Sequence, residues 1–355
     1  MMKKYFVGLC SGLFMGMCIN SYAQDIHFSQ FPEISTLRNP ALTGIFSGEY
    51  KVGVDYRNQW SAVGVPYNTV ALAGETRILV DRNVGDYISF GLDITYDKAG
   101  TIAFTTTEIY PAICYNKSME DEHNTYLSVG MTGGYFSRSV DMSKMTFSSQ
   151  YTNRSYDPNN PNFESTAFNS LHNYDLGTGV SLNSSFDLEG ISNYYLGAAL
   201  YHLNHPTEIF YGPQVLVKLP LKWEFSAGVH LNMGEQFGLT LHSNYSLMDP
   251  YYEFMAGGLI SWHNNPIGYP SNFAISIGGF VRYQDAFIPM MKLDFSNVSL
   301  GISYDVTNSA LATSVPGTGA TEVTLFVKGK YNHRKDPRDN VMCPKFDEQV
   351  FNHFR

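Results

Sequence analysis

The residues of this chain with chemistry to offer are its ten histidines and a set of carboxylates carried on alternating polar and apolar segments. His202 and His205 are three apart and followed by Pro206. On extended backbone that odd spacing sends the two rings to opposite faces, a poor chelate. His230 and His242 fall on inward faces of neighbouring segments and form a second candidate pair. Asp157, Asn159, Asn160 and Glu164 supply oxygen ligands of the kind calcium takes. They lack the central glycine and spacing of an EF-hand and read as a polar turn cluster. Serines are numerous, yet no Gly-x-Ser-x-Gly phrase marks a nucleophile elbow. Acid–base chemistry would fall to the inward carboxylates Asp93, Glu108, Glu224 and Glu253, for which Lys51, Arg57, Arg77, Lys222 and Arg282 are the candidate partners across the lumen. Opposite charges on inward faces read better as pairs bridging a closed interior, because an unpaired buried charge is costly. The expectation is a non-enzymatic protein with no metal and no cofactor.

The elements that position these residues follow from composition and periodicity. Only 15% of residues are charged, against roughly 25% in ordinary soluble domains. Tyr (25), Phe (24) and Gly (31) are plentiful, while mean hydropathy is only −0.17. A net charge of −9 argues against nucleic acid, which needs a basic face. No run of 18 apolar residues follows Gln24, which excludes membrane-spanning helices. Two classes remain: an aromatic-rich secreted all-β protein, or a transmembrane β-barrel whose apolar residues are diluted by alternation.

The alternation itself separates these two. Ile88, Phe90, Leu92, Ile94 and Tyr96 share one face, and Ser89, Gly91, Asp93 and Thr95 the other. Segments of this kind predict strands near 49–58, 67–78, 87–97, 105–116, 125–136, 172–184, 192–203, 220–232, 236–246, 251–263, 272–283, 286–295, 298–307 and 321–331. About fourteen antiparallel strands of 9–13 residues suit a tilted crossing of a bilayer. Odd-numbered connections include the long 137–171, 204–219 and 308–320, and even-numbered ones include Met233–Glu235 and Ser296–Asn297. Long loops on one side and short turns on the other is the outer-membrane pattern, although 247–250 and 284–285 are short members of the long side. The polar faces carry Gly, Ser, Thr and Asn as a confined lumen would. The apolar faces place Tyr252, Trp262, Phe273 and Tyr283 near strand ends, as interfacial girdles do. The predicted fold is an all-β transmembrane antiparallel barrel.

Residues 1–23 read as a cleaved secretory signal peptide, with Lys3 and Lys4 before an apolar run and Ser21-Tyr22-Ala23 at the cleavage site. Residues 24–48 form a plug-like leader, 49–331 the outer-membrane barrel and 332–355 a polar periplasmic tail. Beyond the signal segment only Cys114 and Cys343 remain, too few for a disulfide framework. Cys114 faces inward, and the tail that carries Cys343 is expected to stay out of the lumen.

The leader reads Phe28-Ser29-Gln30-Phe31, then Asn39-Pro40-Ala41-Leu42-Thr43-Gly44, followed by Tyr56-Arg57-Asn58-Gln59-Trp60. Further phrases are Asp97-Lys98-Ala99-Gly100, Tyr201-His202-Leu203-Asn204-His205-Pro206, Asp285-Ala286-Phe287-Ile288-Pro289 and, in the tail, Cys343-Pro344-Lys345-Phe346. Together they resemble the PorP/SprF family of outer-membrane proteins, associated with type IX secretion and gliding motility in the Bacteroidetes. The resemblance implies a non-enzymatic barrel that helps secrete a surface adhesin or holds it at the cell surface. Its implied partners are the secreted adhesin-like protein, a periplasmic peptidoglycan-binding protein or other type IX components, and outer-membrane lipid.

Three regions become candidate sites. Phe28, Ser29, Gln30, Phe31, Asn39, Pro40, Ala41 and Gly44 form the plug motif, in which Pro40 removes a donor and prevents extension of the first strand. Tyr151, Tyr156, Phe163 and Phe168 give the longest loop an aromatic, low-charge character suited to protein contact or to a self-packed lid. Cys343, Pro344, Lys345 and Phe346 mark a possible periplasmic contact. The leader phrase also resembles the hatch of FadL-like transporters, so the alternative function is passage of a hydrophobic small molecule.

Overall fold

The alternating segments close on themselves. The computed structural model describes residues 26–61, 65–81, 83–152, 155–162, 169–188, 191–208, 217–266, 273–308, 319–331 and Cys343. Fourteen strands form the barrel: β1 (Tyr50–Gln59), β2 (Tyr67–Asp81), β3 (Asp86–Ala99), β4 (Phe104–Ser118), β5 (Tyr126–Ser139), β6 (Ser170–Ser185) and β7 (Asn193–Tyr201). The second half comprises β8 (Lys222–Asn232), β9 (Phe237–Met248), β10 (Tyr251–His263), β11 (Phe273–Arg282), β12 (Ala286–Phe295), β13 (Val298–Thr307) and β14 (Gly319–Gly329). Each pairs antiparallel with its successor, and β14 returns to β1 with Arg57 opposite Glu322. Closure leaves no sheet edge with unpaired backbone groups, which a bilayer could not satisfy.

Every strand expected from the alternation is present, with ends displaced by a few residues. The largest extensions lie at β2 and β5, where backbone pairing runs on past the last alternating residue to Asp81 and Ser139. At β14 the ladder begins at Gly319, whose carbonyl accepts the Trp60 amide at 2.8 Å.

Burial is inverted relative to a soluble protein. Val52 and Leu196 are each 55% exposed, whereas Asp55 and Arg57 on the lumen face are 0% and 1% exposed. Leu72, Phe90, Val129, Leu176, Ile260 and Ile277 repeat the outward apolar pattern around the circumference. Water would not stabilise such a surface, while hydrocarbon would. Trp223, Trp262, Tyr252 and Tyr283 stand among the exposed aromatics near strand ends.

The two mouths differ. The short connections 82–85, 233–236 and 296–297 lie at one end, together with the start of β1 and the end of β14. The long connections 140–169, 202–221 and 308–318 lie at the other. By the outer-membrane rule the loop mouth faces out and the turn mouth faces the periplasm.

Candidate functional site

The lumen is filled by the leader. Residues 28–44 make short turns instead of a strand: Ser35–Leu37 and Pro40–Leu42 are single 3-10 turns. Asn39 caps the second, its Oδ1 accepting the Ala41 amide at 2.8 Å, with Pro40 in the first helical position where a missing N–H costs nothing. The Asn39 Nδ2 group donates to the Val180 carbonyl at 3.0 Å, tying this turn to β6. Two glycines make the approach possible. A Cβ on Gly130 would collide with the Pro40 carbonyl group, and one on Gly179 with the Asn39 side chain. Gly130 and Gly179 are paired across β5 and β6, so they form one smooth patch under the Asn39–Ala41 turn.

Polar groups on strands all round the barrel bind the leader. At the loop-mouth end, Glu322 accepts the Ser29 amide at 2.8 Å and the Gln30 amide at 2.5 Å. Arg57 donates to Ser29 Oγ at 2.6 Å while pairing with Asp305 at 2.8 Å and Glu322 at 3.0 Å. Arg282 reaches the same Ser29 oxygen at 2.8 Å and pairs with Asp305 at 3.1 Å. Toward the turn mouth, Lys292 pairs with Glu33 at 2.6 Å and Lys51 donates to the Glu33 carbonyl, and in mid-lumen Thr36 donates to Asp93. Near the turn mouth, Glu75 accepts the Gly44 amide at 2.7 Å, and Arg77 donates to the carbonyls of Gly44 and Phe46. Apolar packing adds Phe31 against Phe280, ring centres 5.2 Å apart, and Phe28 with Ile34 and Phe326.

These contacts reassign the charges expected to bridge the lumen among themselves. Lys222 and Glu224 pair at 3.1 Å, and Arg282 stands 3.5 Å from Glu253. Arg57 instead takes Asp305 and Glu322, Lys51 and Arg77 bind leader carbonyls, Asp93 takes Thr36, and Glu108 accepts from Thr95 at 3.0 Å. Glu33 and Glu322 were not singled out from sequence, although alternation does place Glu322 inward. What alternation lacks is the leader, which has no period and supplies half of the partners.

The leader residues Phe28, Ser29, Gln30, Phe31, Asn39, Pro40, Ala41 and Gly44 thus all lie within the lumen and are all buried. Tyr151 and Tyr156 sit on a small hairpin of the 140–169 connection, 61% and 39% exposed, with ring centres 5.8 Å apart. Phe163, Phe168, Pro344, Lys345 and Phe346 lie outside the described residues, as do residues 1–23 expected to form a signal peptide, Glu164 and most of the tail. Cys343 corrects one expectation. It is not held outside: it is 2% exposed and packs with Tyr87 and Tyr126, near Ile45 and Leu79. Tyr87 and Tyr126 lie at the turn-mouth ends of β3 and β5, so the thiol packs among apolar and aromatic side chains at that end of the lumen. Cys343 and Cys114 are both buried free thiols.

Each of the four histidines singled out has a partner of its own. His202 binds Asp175 at 3.0 Å and His205 the Leu219 carbonyl at 3.1 Å. His230 bonds Thr240 at 2.8 Å, while His242 meets Tyr195 at 3.2 Å and the edge of Phe31. Among the described residues no group of three His, Cys, Asp or Glu has the arrangement of a metal site.

A plugged barrel with long outer loops can now be set beside known proteins. The sequence profile of the type IX secretion system membrane protein PorP/SprF matches residues 20–326. The chain belongs to the PorP/SprF family. It is an outer-membrane protein with a secretion-related role, and its family implies interaction with type IX secretion components. The family is one of type IX secretion system membrane proteins. Among solved structures, the toluene transporter TbuX of Ralstonia pickettii is 10% identical, with 82% of this chain and 92% of that chain covered at a TM-score of 0.46. The P. putida toluene transporter TodX is 9% identical, with 85% and 95% covered at 0.47. The translocator domain of the autotransporter NalP from Neisseria meningitidis is 8% identical, with 91% and 97% covered at 0.41. At these scores no ligand or mechanism passes from those proteins to this PorP/SprF member. No curated protein matches it.

Proposed function

We propose that this PorP/SprF member is a docking and anchoring barrel. Its outer loops hold a secreted, adhesin-like protein at the cell surface, and its periplasmic face links to a peptidoglycan-binding or secretion-system partner. The observation that supports this reading is the occupied lumen. The leader is hydrogen-bonded to strands on opposite sides of the barrel. Two cavities within the lumen hold only about 70 and 100 Å³. Sites for drug-sized ligands are usually about 300–1,000 Å³. With the interior filled, the working surfaces are the two mouths, and Tyr151 and Tyr156 present exposed aromatic area at the outer one. Tyr supplies rigid contact area at low entropic cost.

Transport of a hydrophobic small molecule is the second reading. Phe28, Phe31, Ile34, Leu37 and Met255 give the larger cavity an apolar wall near the loop mouth. Two measurements on the full chain separate the readings. Docking predicts that the barrel, extracted in mild detergent, brings a secreted adhesin-like protein or a peptidoglycan-binding protein with it, and that reconstituted barrel shows no steady conductance. A monomer carrying only bound lipid or hydrophobic ligand, with ligand uptake in vesicles, would sink docking and support transport.

A further inference from the structure

We propose that the leader is threaded outward-in, so that its first described residues, Ile26 and His27, belong to the cell-surface mouth and form part of the face that receives the exported adhesin-like protein. The leader enters β1 at the turn mouth, where the Glu49 amide donates to the Gly329 carbonyl at 2.7 Å. A leader that simply hung from that point would have its free end in the periplasm. The contacts run the other way.

Going backward along the chain, Phe46 and Gly44 meet Arg77 and Glu75 in the turn-mouth part of β2. Ala41 and Asn39 reach the Ser181 hydroxyl and the Val180 carbonyl in β6. The Thr36 carbonyl accepts from Tyr201, the last residue of β7 before the loop mouth. Ser29 meets Glu322, three residues into β14 after it leaves the loop mouth, and Arg57, two residues before β1 arrives there. Ile26 and His27 then line a cavity with Lys222, Met248, Tyr251 and Tyr252. Lys222 opens β8 from the 202–221 connection, while Met248 and Tyr251 flank the 249–250 connection. All of these connections are on the loop side. Between Thr36 and Ser29, Glu33 dips back toward the turn mouth, to Lys51 one residue into β1 and Lys292 three residues before the end of β12. The leader therefore folds back once, while its entry at the turn mouth and the place of Ile26 and His27 at the loop mouth each rest on several contacts.

Two polar contacts fix the leader's outer end as a built feature. Ser29 alone is bound by Arg57, Arg282, Asp305 and Glu322, side chains that are all buried. His27 Nδ1 lies 4.0 Å from Glu253, which is the third residue of β10 from the loop mouth. Mixed charge beside Tyr251 and Tyr252 has the character of a protein-contact rim. The threading stands on geometry, and the role of this rim in holding the exported protein rests on the proposed function.

The experiment places cysteines in full-length barrel lacking its own thiols (Cys114→Ser, Cys343→Ser). Asn308→Cys reports the loop mouth, since its amide bonds the Asp285 carbonyl of the neighbouring loop-side connection at 2.7 Å. Ser296→Cys reports the turn mouth. Spin-label distances in reconstituted barrel should be shorter for Ile26→Cys with Asn308→Cys than for Ile26→Cys with Ser296→Cys. On intact cells a membrane-impermeant maleimide should label Ile26→Cys and Asn308→Cys, and Ser296→Cys only after the outer membrane is opened. The reverse order of distances, or labelling of Ile26→Cys only in opened cells, overturns the proposal. Heat-modifiable gel mobility checks that each variant is folded, and His27→Cys replaces Ile26→Cys if the latter is not. Outward threading combined with failure to recover any exported partner would refute docking and leave the polarity standing.

Discussion

Arg57 and Glu322 face each other across the β1–β14 seam at 3.0 Å, and each also binds Ser29 of the leader. One ion pair therefore closes the barrel and fastens its plug. Removing one partner strands the other in a buried site, a loss of about 3–5 kcal/mol in comparable pairs. Glu322→Ala should lower the midpoint of the heat-modifiable mobility shift and open the leader to protease, with Arg57→Met less severe than Arg57→Ala because its bulk is kept. Equal midpoints for Glu322→Ala and wild type would refute the double role.

Glu33 gives the leader a pH signature. Burial raises the pKa of its carboxyl, but the ammonium groups of Lys292, Lys51 and Lys328 outweigh burial and hold it at about 2, below the ordinary 4.5. A carboxylate lowered in this way contributes stability that is fully present above pH ~4.5 and lost as pH falls through about 2. The contribution is on the order of 3 kcal/mol. The difference in unfolding midpoint between wild type and Glu33→Gln should be constant from pH 7 to 5 and shrink steadily below that. A difference that grows on acidification would contradict the assignment.

The smooth patch at Gly130 and Gly179 predicts a gating variant. Gly130→Val adds bulk where the Pro40 backbone now lies, and overpacking of this kind typically costs about 1–3 kcal/mol. The strand can keep its pairing while the Asn39–Ala41 turn is displaced. Reconstituted Gly130→Val should show conductance steps that wild type lacks, with the barrel still resistant to SDS before boiling. A closed, wild-type-like record would show that the turn is not what seals the lumen.

The outward apolar band makes a depth-dependent prediction. Leu196 lies mid-strand on β7, while Leu188 lies in the connection that precedes it; both are exposed. Leu196→Arg should cost about 2–4 kcal/mol in a bilayer and Leu188→Arg close to none. Folding titrations into lipid vesicles measure both, and equal costs would place the band wrongly.

Tyr151→Ala and Tyr156→Ala test the outer loop. The two rings contact each other at a 50° tilt and both are exposed, so removal should leave the heat-modifiable shift unchanged. Retention of the exported partner should fall, by roughly tenfold if one ring is worth an anchor of about 1.4 kcal/mol. Unchanged retention would take the docking role from this hairpin.

The strands were legible because alternation is a local signal: each residue's neighbours two positions away declare its face. The same signal marks Asp55, Arg57, Asp305 and Glu322 as inward. It cannot say that Arg57 meets Glu322, 265 positions away, because that contact exists only once the sheet closes. Asn39-Pro40 announced a turn, and its landing place on Gly130 and Gly179 depended on register between β5 and β6. Cys343 packs against Tyr87 and Tyr126, side chains from two strands that are not neighbours in the barrel. Periodic elements were readable, whereas contacts made by the aperiodic leader and tail were not.

The leader's bonds to both ends of the chain constrain the order in which the molecule is made. Ser29 and Glu322 are 293 positions apart, and the last strand to be synthesised supplies the acceptor for one of the first residues. Bringing such distant positions together is a slow, entropically opposed step. A finished cylinder would offer the leader no lateral way in. Entry through a mouth would have to draw Ser29 along the lumen from the turn side, whereas strands that curl around a leader already lying along their inner face capture it as β1 and β14 meet.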